Sequence, residues 1–458
     1  MAIIMKFGGS SVGSPESIRN VHDIVSSRLE RNPVVVVSAV GGVTDMLIES
    51  ARAAEKGPAD SSAIAEKHDS LIKELGLEEG LLKEELEELE RVLKRISDEG
   101  LNKRMLDLVQ SFGERMSSRI VAAYLSKKGI ASRPLFAYDA GFRTNSDFTE
   151  AELESCTYKN LKGNKQLSEK ETVNVVTGFI AKDHKGDITT LGRGGSDFTA
   201  AVLGAALDAE EVQIWTDVNG IMTADPRIVD SARSVEEISF AEASEMAYFG
   251  AKVVHPKTML PAMEENIPVV VMNTHNKGHR GTVIKKKPDK QEVFRAVSSK
   301  KNITIIRVVS SRMLGAHGFL ARLFEIFNDH RIVVDMISTS EVSVSVTVNN
   351  TENLNYAIEE LERIGRVEVR EGMAIICVIG GGMKEQPGIA GKIFTVCGMK
   401  DIKVEMISQG ASRVNLSFIV SNEDADNAVK ALHKALIEGD DQCLKGKAAL
   451  ETLKSGQA

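Results

Sequence analysis

The chain has little cysteine: Cys156, Cys377, Cys397 and Cys443 are the four thiols in 458 residues. They lie far apart and form no C-x-x-C, which excludes a disulfide framework and a cysteine-held zinc. Reduced thiols in a cytoplasmic protein are the reading that remains. The nine histidines do not cluster and no H-E-x-x-H occurs, so no metal held in a protein cage is expected. A cation carried in by its ligand would leave little trace. No apolar run approaches the roughly 20 residues of a membrane span. The N-terminus lacks a basic region followed by a long apolar core, so no signal peptide is expected. A net charge of −8 and the absence of a long basic stripe argue against a general nucleic-acid binder. The one basic run, Lys285-Lys286-Lys287 before Pro288, reads as a solvated linker. Neither G-x-x-x-x-G-K-[ST] nor a G-x-G-x-x-G opening a dinucleotide domain is found.

What the chain does have is glycine at the ends of strands. The composition, 42 % hydrophobic and 27 % charged, is that of a globular protein, long enough for about two to four domains. Ile3-Ile4-Met5 reads as a strand running into Lys6-Phe7-Gly8-Gly9-Ser10-Ser11. A helix is predicted from Pro15, capped by Ser14. Such a corner brings backbone N–H groups and a helix N-terminus toward an anion, and Lys6 at the strand end can reach the same anion. A second buried strand, Val34 to Val37, runs into Ser38-Ala39-Val40-Gly41-Gly42-Val43-Thr44-Asp45. Two such corners point to one ligand held across the strand ends of an open α/β sheet.

Residues 61–127 show a leucine pattern at helical spacing, punctuated by Gly76, Gly80 and Gly100. Within it, Glu114 follows Phe112-Gly113, either as an exposed helix carboxylate or facing a pocket. Residues 131–147 and Val173 to Ile180 read as further strands. A third glycine corner follows, Gly192-Arg193-Gly194-Gly195-Ser196-Asp197, ahead of a small-residue helix from Ala200 to Leu207. Arg193 can grip a carboxylate through two parallel hydrogen bonds. Asp197 is either a helix cap or a charged group of the site. Val212 to Trp215 is a strand opening into a loop that holds Thr216, Asp217, Met222, Asp225 and Arg227. A helix from Phe240 leads to Ala251-Lys252-Val253-Val254-His255-Pro256. Pro268 to Met272 is the last strand, and Lys285 to Lys301 reads as a linker.

The final third repeats itself. A shift of 70 residues superposes Ile305 on Ile375, Met313 on Met383, Gly318 on Gly388, Phe324 on Phe394, Met336 on Met406 and Ser338 on Ser408, without a gap. Each copy reads as a ferredoxin-like β-α-β-β-α-β unit. Two copies are too few, and the period too long, for a solenoid.

With these stretches in place, the chain resembles the aspartokinases of the amino-acid-kinase family over nearly its whole length. The resemblance rests on Lys6 to Val12, Gly192 to Asp197, Trp215 to Val218 with Asp225-Pro226-Arg227, and Ala251 to Pro256. The repeat resembles the paired ACT domains of the same enzymes. It implies an open, mostly parallel sheet flanked by helices over residues 1–297. Two ferredoxin-like ACT domains would follow at 301–375 and 376–458, the second open to interleaving with the first.

The implied activity is transfer of the ATP γ-phosphoryl, with Mg2+, to the side-chain carboxylate of L-aspartate. This is the first step toward lysine, threonine and methionine. By the same resemblance, Lys6 and Asp197 are catalytic. Thr44, Glu114, Arg193, Gly194, Gly195 and Ser196 bind aspartate. Lys6, Gly8, Gly9, Ser10, Thr216, Asp217, Met222, Arg227, Lys252 and Val253 hold the nucleotide. Met222 stands where the family often has an aromatic ring. Met313, Ala316, Gly318, Asp335, Ser338 and Thr339 would receive lysine, threonine or both as feedback effector. A cytoplasmic homodimer, or a dimer of dimers, is expected. The alternatives are a sister amino-acid kinase and an ACT-type amino-acid sensor without catalysis; the latter would be expected to lack Lys6, Arg193 or Asp197, and all three are present.

Overall fold

A computed structural model describes residues 2–58, 60–250, 254–313, 317–410 and 414–439. In chain order the first strands and helices are β1 (Ile3–Phe7), α1 (Pro15–Ser26), β2 (Pro33–Val37), α2 (Val43–Ala54), α3 (Ser62–Leu75), α4 (Lys83–Glu99) and α5 (Lys103–Lys127). After them come β3 (Ser132–Leu135), α6 (Ala137–Ala140), α7 (Cys156–Gly163), α8 (Lys165–Ser168), β4 (Val173–Thr177), β5 (Ile180–Lys182), β6 (Ile188–Thr190), α9 (Gly195–Ala206) and β7 (Glu211–Thr216). The series continues with β8 (Glu237–Ser239), α10 (Phe240–Tyr248), α11 (Pro256–Glu264), β9 (Val269–Asn273) and β10 (Thr282–Lys285).

One compact unit comprises Met1–Ile221, Ser234–Phe240 and Lys252–Pro288. Its sheet has the order β3-β4-β2-β1-β7-β9-β10-β8. The pairs from β3 through β9 are parallel; β10 turns back antiparallel on β9 and takes β8 parallel beside it. Both faces of a parallel sheet must be covered, and the central strands β1, β2, β4, β7 and β9 are buried on both. Ile3, Met5 and Phe7 enter a core shared with α1, α2 and α5. Ile4 points the other way, toward α9, where Gly204 lets the helix come close to Val212. Ser14 caps α1 as the sequence predicts, accepting the Ser17 N–H at 3.1 Å. The leucine-rich run of 61–127 is three helices. Gly76 and Gly100 take φ of +61° and +85° at two of its breaks; Gly76 ends α3 in the left-handed conformation, and Gly100 ends α4 with an extended turn that also favours glycine.

The second unit comprises Met222–Arg233, Ala241–Ala251 and Asp289–Ala458. Its elements are β11 (Ala296–Val309), α12 (Phe319–Asp329), β12 (Val334–Thr339), β13 (Ser343–Val348), α13 (Leu354–Leu361), β14 (Arg366–Ile379), α14 (Ile389–Met399), β15 (Met406–Ser408), β16 (Asn415–Ser421) and α15 (Ala425–Leu432). They form one six-stranded antiparallel sheet, β12-β13-β11-β14-β16-β15. The sequence repeat is real in three dimensions: Gly318 and Gly388 cap α12 and α14 with φ of +83° and +82°.

The strands nonetheless do not close copy by copy. Ala296 to Lys300 pairs with Ile379 to Ile375, and Ile303 to Val309 pairs with Met373 to Arg366, across an irregularity in register. The strand that closes the second copy therefore precedes the first copy in the chain. This shortens the linker expected at 285–301, because Lys285 ends β10 and Ala296 already begins β11. Ser298-Ser299-Lys300-Lys301 lacks the alternation of a strand; its pairing is supplied by the apolar half of β14.

Candidate active site

The first two glycine corners meet backbone to backbone. Gly41 donates its N–H to the Gly9 carbonyl at 3.1 Å. A Cβ on Gly9 would lie 3.0 Å from the Ala39 carbonyl oxygen, so a larger residue would have to push the second corner away. Lys67 Nζ donates to the Gly41 carbonyl at 2.6 Å and holds the second corner from α3. Gly8 contributes space rather than a donor, since its N–H already goes to the Trp215 carbonyl at 3.1 Å.

Helix α5 closes one wall. A Cβ on Gly113 would sit 2.6 Å from the Ala39 Cβ, so only glycine lets the helix come this near. The approach brings the next residue, Glu114, into the site. Its Oε1 accepts the Ala39 N–H at 3.1 Å, and its buried Oε2 meets no donor among the described residues. Burial pushes the Glu114 carboxyl up to about 8, against the pull of the Ala39 N–H and the Lys6 ammonium. Of the two readings of Glu114, the pocket-facing one is what the structure shows.

The third corner supplies the opposite wall. Gly194, with φ of +75°, stands at the start of α9 and makes no side-chain cap; Asp197 lies in the first turn. Asp197 is therefore not the cap. Its Oδ1 lies 2.6 Å from Lys6 Nζ, an ion pair reaching from β1 to α9. Arg193 is exposed at the rim, with no hydrogen bond or ion pair to a described residue.

A cleft of about 670 Å3 gathers Lys6, Gly9, Thr44, Glu114, Arg193, Gly194, Gly195, Ser196 and Asp197 on one lining. A carboxylate on one side and a guanidinium on the other match the ammonium and carboxylate of an amino acid, with the Lys6 ammonium in the same space. Asp45, Gln110, Thr149, Glu150 and Thr190 also line it. Sequence reasoning missed these. Gln110 was legible as one helical turn before Glu114; Thr149 and Thr190 carry no local signal.

The expected nucleotide residues are more dispersed. Thr216 ends β7 and donates to Asp217 Oδ1 at 3.1 Å. Ser11 ties this end together, with its hydroxyl 2.7 Å from that of Thr274 and 3.2 Å from the Trp215 carbonyl. Ser10 is exposed at the first corner. Met222 and Arg227 belong to the second unit, where Arg227 pairs with Asp225 at 2.6 Å. Lys252 and Val253 lie outside the described residues.

Of the expected effector residues, Ala316 lies outside the described residues. Met313 ends a short turn after β11, Gly318 caps α12, and Asp335, Ser338 and Thr339 lie on β12. The Asp335 side chain is 1 % exposed. Its Oδ1 is 2.9 Å from Lys300 Nζ and accepts the Tyr248 hydroxyl at 2.7 Å, while Oδ2 meets no donor among the described residues. Glu405, its counterpart in the second copy, is instead paired with Arg370 at 2.5 Å and Lys403 at 2.9 Å. It lines a groove of about 740 Å3 with Ser338, Arg307 and Ser345.

The chain is similar to known proteins in sequence and fold. Residues 1–273 match the amino acid kinase family, and 306–363 and 376–436 match the ACT domain. Aspartokinase 1, chloroplastic, of Arabidopsis thaliana is 41 % identical over 96 % of this chain and 80 % of its own. The structure of E. coli aspartokinase III in complex with aspartate and ADP (R-state) gives a TM-score of 0.79 at 35 % identity, covering 95 % of this chain and 100 % of that one. The same enzyme in complex with lysine and aspartate (T-state) gives 0.78 at 36 %, covering 95 % and 99 %. The sheet, its cleft and the C-terminal repeat thus have the make-up of an amino acid kinase joined to an ACT pair. Within that class, the chain belongs to the aspartokinase family.

Proposed function

We propose that this protein transfers the γ-phosphoryl of ATP to the side-chain carboxylate of L-aspartate, giving 4-phospho-L-aspartate and ADP. The observation that carries this reading is the single cleft lined by Lys6, Glu114 and Arg193. Glu114 takes the substrate's α-ammonium and Arg193 its α-carboxylate, with Thr44, Gly194, Gly195 and Ser196 around them. The side-chain carboxylate is then the group left to attack. It is already ionised, so no general base is needed. One of its oxygens forms a bond to the γ-phosphorus as the bond from that phosphorus to the ADP oxygen breaks. In-line placement and charge neutralisation are what this step demands.

Lys6 neutralises the transferring phosphoryl, and Asp197 holds the Lys6 ammonium in place. Asp197 also puts a carboxylate on the cleft lining, an oxygen donor of the kind that would face a phosphate-borne Mg2+. That ion, when bound, adds positive charge to the phosphates. Gly8, Gly9, Ser10, Thr216, Asp217, Met222, Arg227, Lys252 and Val253 make up the proposed nucleotide set.

The ACT pair is the regulatory part in this reading, binding lysine, threonine or both through Met313, Ala316, Gly318, Asp335, Ser338 and Thr339. The edges of its sheet, β12 and β15, are unpaired among the described residues, and pairing them across subunits supports a homodimer or a dimer of dimers. Among the described residues no helix is long and apolar enough to cross a membrane; work in the cytoplasm, at the first step toward lysine, threonine and methionine, completes the proposal. We take 1–297, 301–375 and 376–458 as its working division into domains.

A hydroxamate assay with ATP and aspartate, glutamate, N-acetylglutamate or carbamate tests the assignment. Aspartate alone should give product. Product with another acceptor, or none with aspartate, overturns it.

A further inference from the structure

Asp107 is buried on α5 and lies outside the cleft lining, yet three hydrogen bonds end on it. Its Oδ2 accepts the N–H of Thr149 at 3.0 Å and the N–H of Thr190 at 2.9 Å; its Oδ1 accepts the Thr190 hydroxyl at 2.9 Å. These donors come from two separate segments of chain, and both segments line the cleft.

The two segments are held in unusual ways. Thr149 has φ of +80°, a conformation that a β-branched residue rarely adopts and that persists only where its surroundings enforce it. Gly192, with φ of +69°, approaches it; a Cβ there would lie 3.5 Å from the Thr149 carbonyl oxygen. Thr190 ends β6, three residues before Arg193, and the Gly195 N–H closes the turn that contains Arg193 on the Gly192 carbonyl at 3.1 Å. The backbone of Arg193 thus sits in a short closed turn that leaves the sheet at Thr190.

Glu114 stands two helical turns along α5 from Asp107, on the same side of the helix. One rigid helix thus carries one half of the clamp directly and, through Asp107, holds the chain that leads to the other half. We infer that Asp107 is a positioning residue for aspartate: it sets the spacing between Glu114 and Arg193 by tying Thr149 and Thr190 to α5. This rests on the aspartate kinase reading of the cleft. Burial pushes the Asp107 carboxyl up from its ordinary value, against the pull of the Thr149 and Thr190 bonds, so the group is held in place at a cost that a surface residue would not carry.

The test is steady-state kinetics on the full chain with aspartate and ATP each varied, beside a melting curve. Asp107→Ala should raise the KM for aspartate about 10-fold or more, because the clamp halves lose their register. The KM for ATP should stay within about twofold, since the nucleotide residues are not tied to Asp107. Asp107→Asn should recover most of the aspartate KM: its oxygen can accept both N–H groups, and its amide can donate to the Thr190 hydroxyl. Should Asp107→Ala fail to fold, Thr190→Val removes one of the three bonds and should raise the aspartate KM in the same selective way. An unchanged aspartate KM in the folded variants overturns the role, as does an equal rise in both KM values. A wild-type protein that does not phosphorylate aspartate refutes the reaction itself, which is a separate result.

Discussion

The ammonium of Lys6 and the carboxylate of Asp197 stand 2.6 Å apart, joining the end of β1 to the first turn of α9. Both side chains are mostly covered, and the pair holds Lys6 where a phosphoryl group can meet it.

Lys6→Ala should therefore lower turnover by about 10²-fold or more. The variant should still melt cooperatively, because the Lys6 side chain lines the cleft while Ile3, Met5 and Phe7 keep the core contacts of β1. A rate near that of the wild type would refute the role of Lys6.

Glu114 gives a pH dependence with a definite sign. Its carboxyl is held protonated up to about 8 in the fold, against an ordinary value of 4.5. The substrate ammonium needs the ionised form, so the KM for aspartate should fall as pH rises from 6 toward about 8. Glu114→Gln should remove that dependence and raise the KM on the order of 10²-fold, the value of a charge-assisted hydrogen bond.

Stability runs the opposite way. The raised carboxyl favours the fold fully below 4.5, and this contribution is lost as pH rises through about 8. Glu114→Gln has no such loss. Its melting temperature relative to wild type should climb across that window, as thermal scans at several pH values will show. A difference that stays flat with pH would contradict the burial of this group.

Gly113→Ala places a methyl 2.6 Å from the Ala39 Cβ. Overpacking of this kind should destabilise the fold by about 1–3 kcal/mol, read by urea unfolding. It should also raise the aspartate KM, because α5 must retreat from Ala39 and carry Glu114 with it. No change in either quantity would show that the helix has room there.

Asp335 is already engaged by Lys300 and by the Tyr248 hydroxyl. In the proposed reading, an effector ammonium at Asp335 competes with a cation of the chain itself. Asp335→Ala should raise the effector concentration for half-inhibition, and Lys300→Met should lower it. Titration calorimetry with lysine and with threonine checks both; identical affinities in wild type and variants would exclude this carboxylate as the effector's partner.

The sequence carried the parts of the site that chemistry marks locally. Gly-Gly corners, the Arg193 loop and the Phe-Gly-Glu of α5 each announce a backbone constraint or a charge. The two readings left open for Asp197 and Glu114 needed coordinates, because capping and burial depend on what packs nearby. Asp107 was illegible for another reason: its partners Thr149 and Thr190 are distant in sequence, and a helix carboxylate looks like a solvated one. Interleaving of the two ACT copies was left open by the sequence, but the segment of β11 that carries it was not legible. Ser298 to Lys301 are polar, and only β14 makes them a strand.

The most direct measurement is a crystal structure with L-aspartate and a non-hydrolysable ATP analogue bound together. Aspartate should lie in the cleft with its ammonium on Glu114 and its α-carboxylate on Arg193. Its side-chain carboxylate should face the γ-phosphate beside Lys6. Aspartate found outside that cleft, or turned so that its α-carboxylate faces the phosphate, would contradict the account.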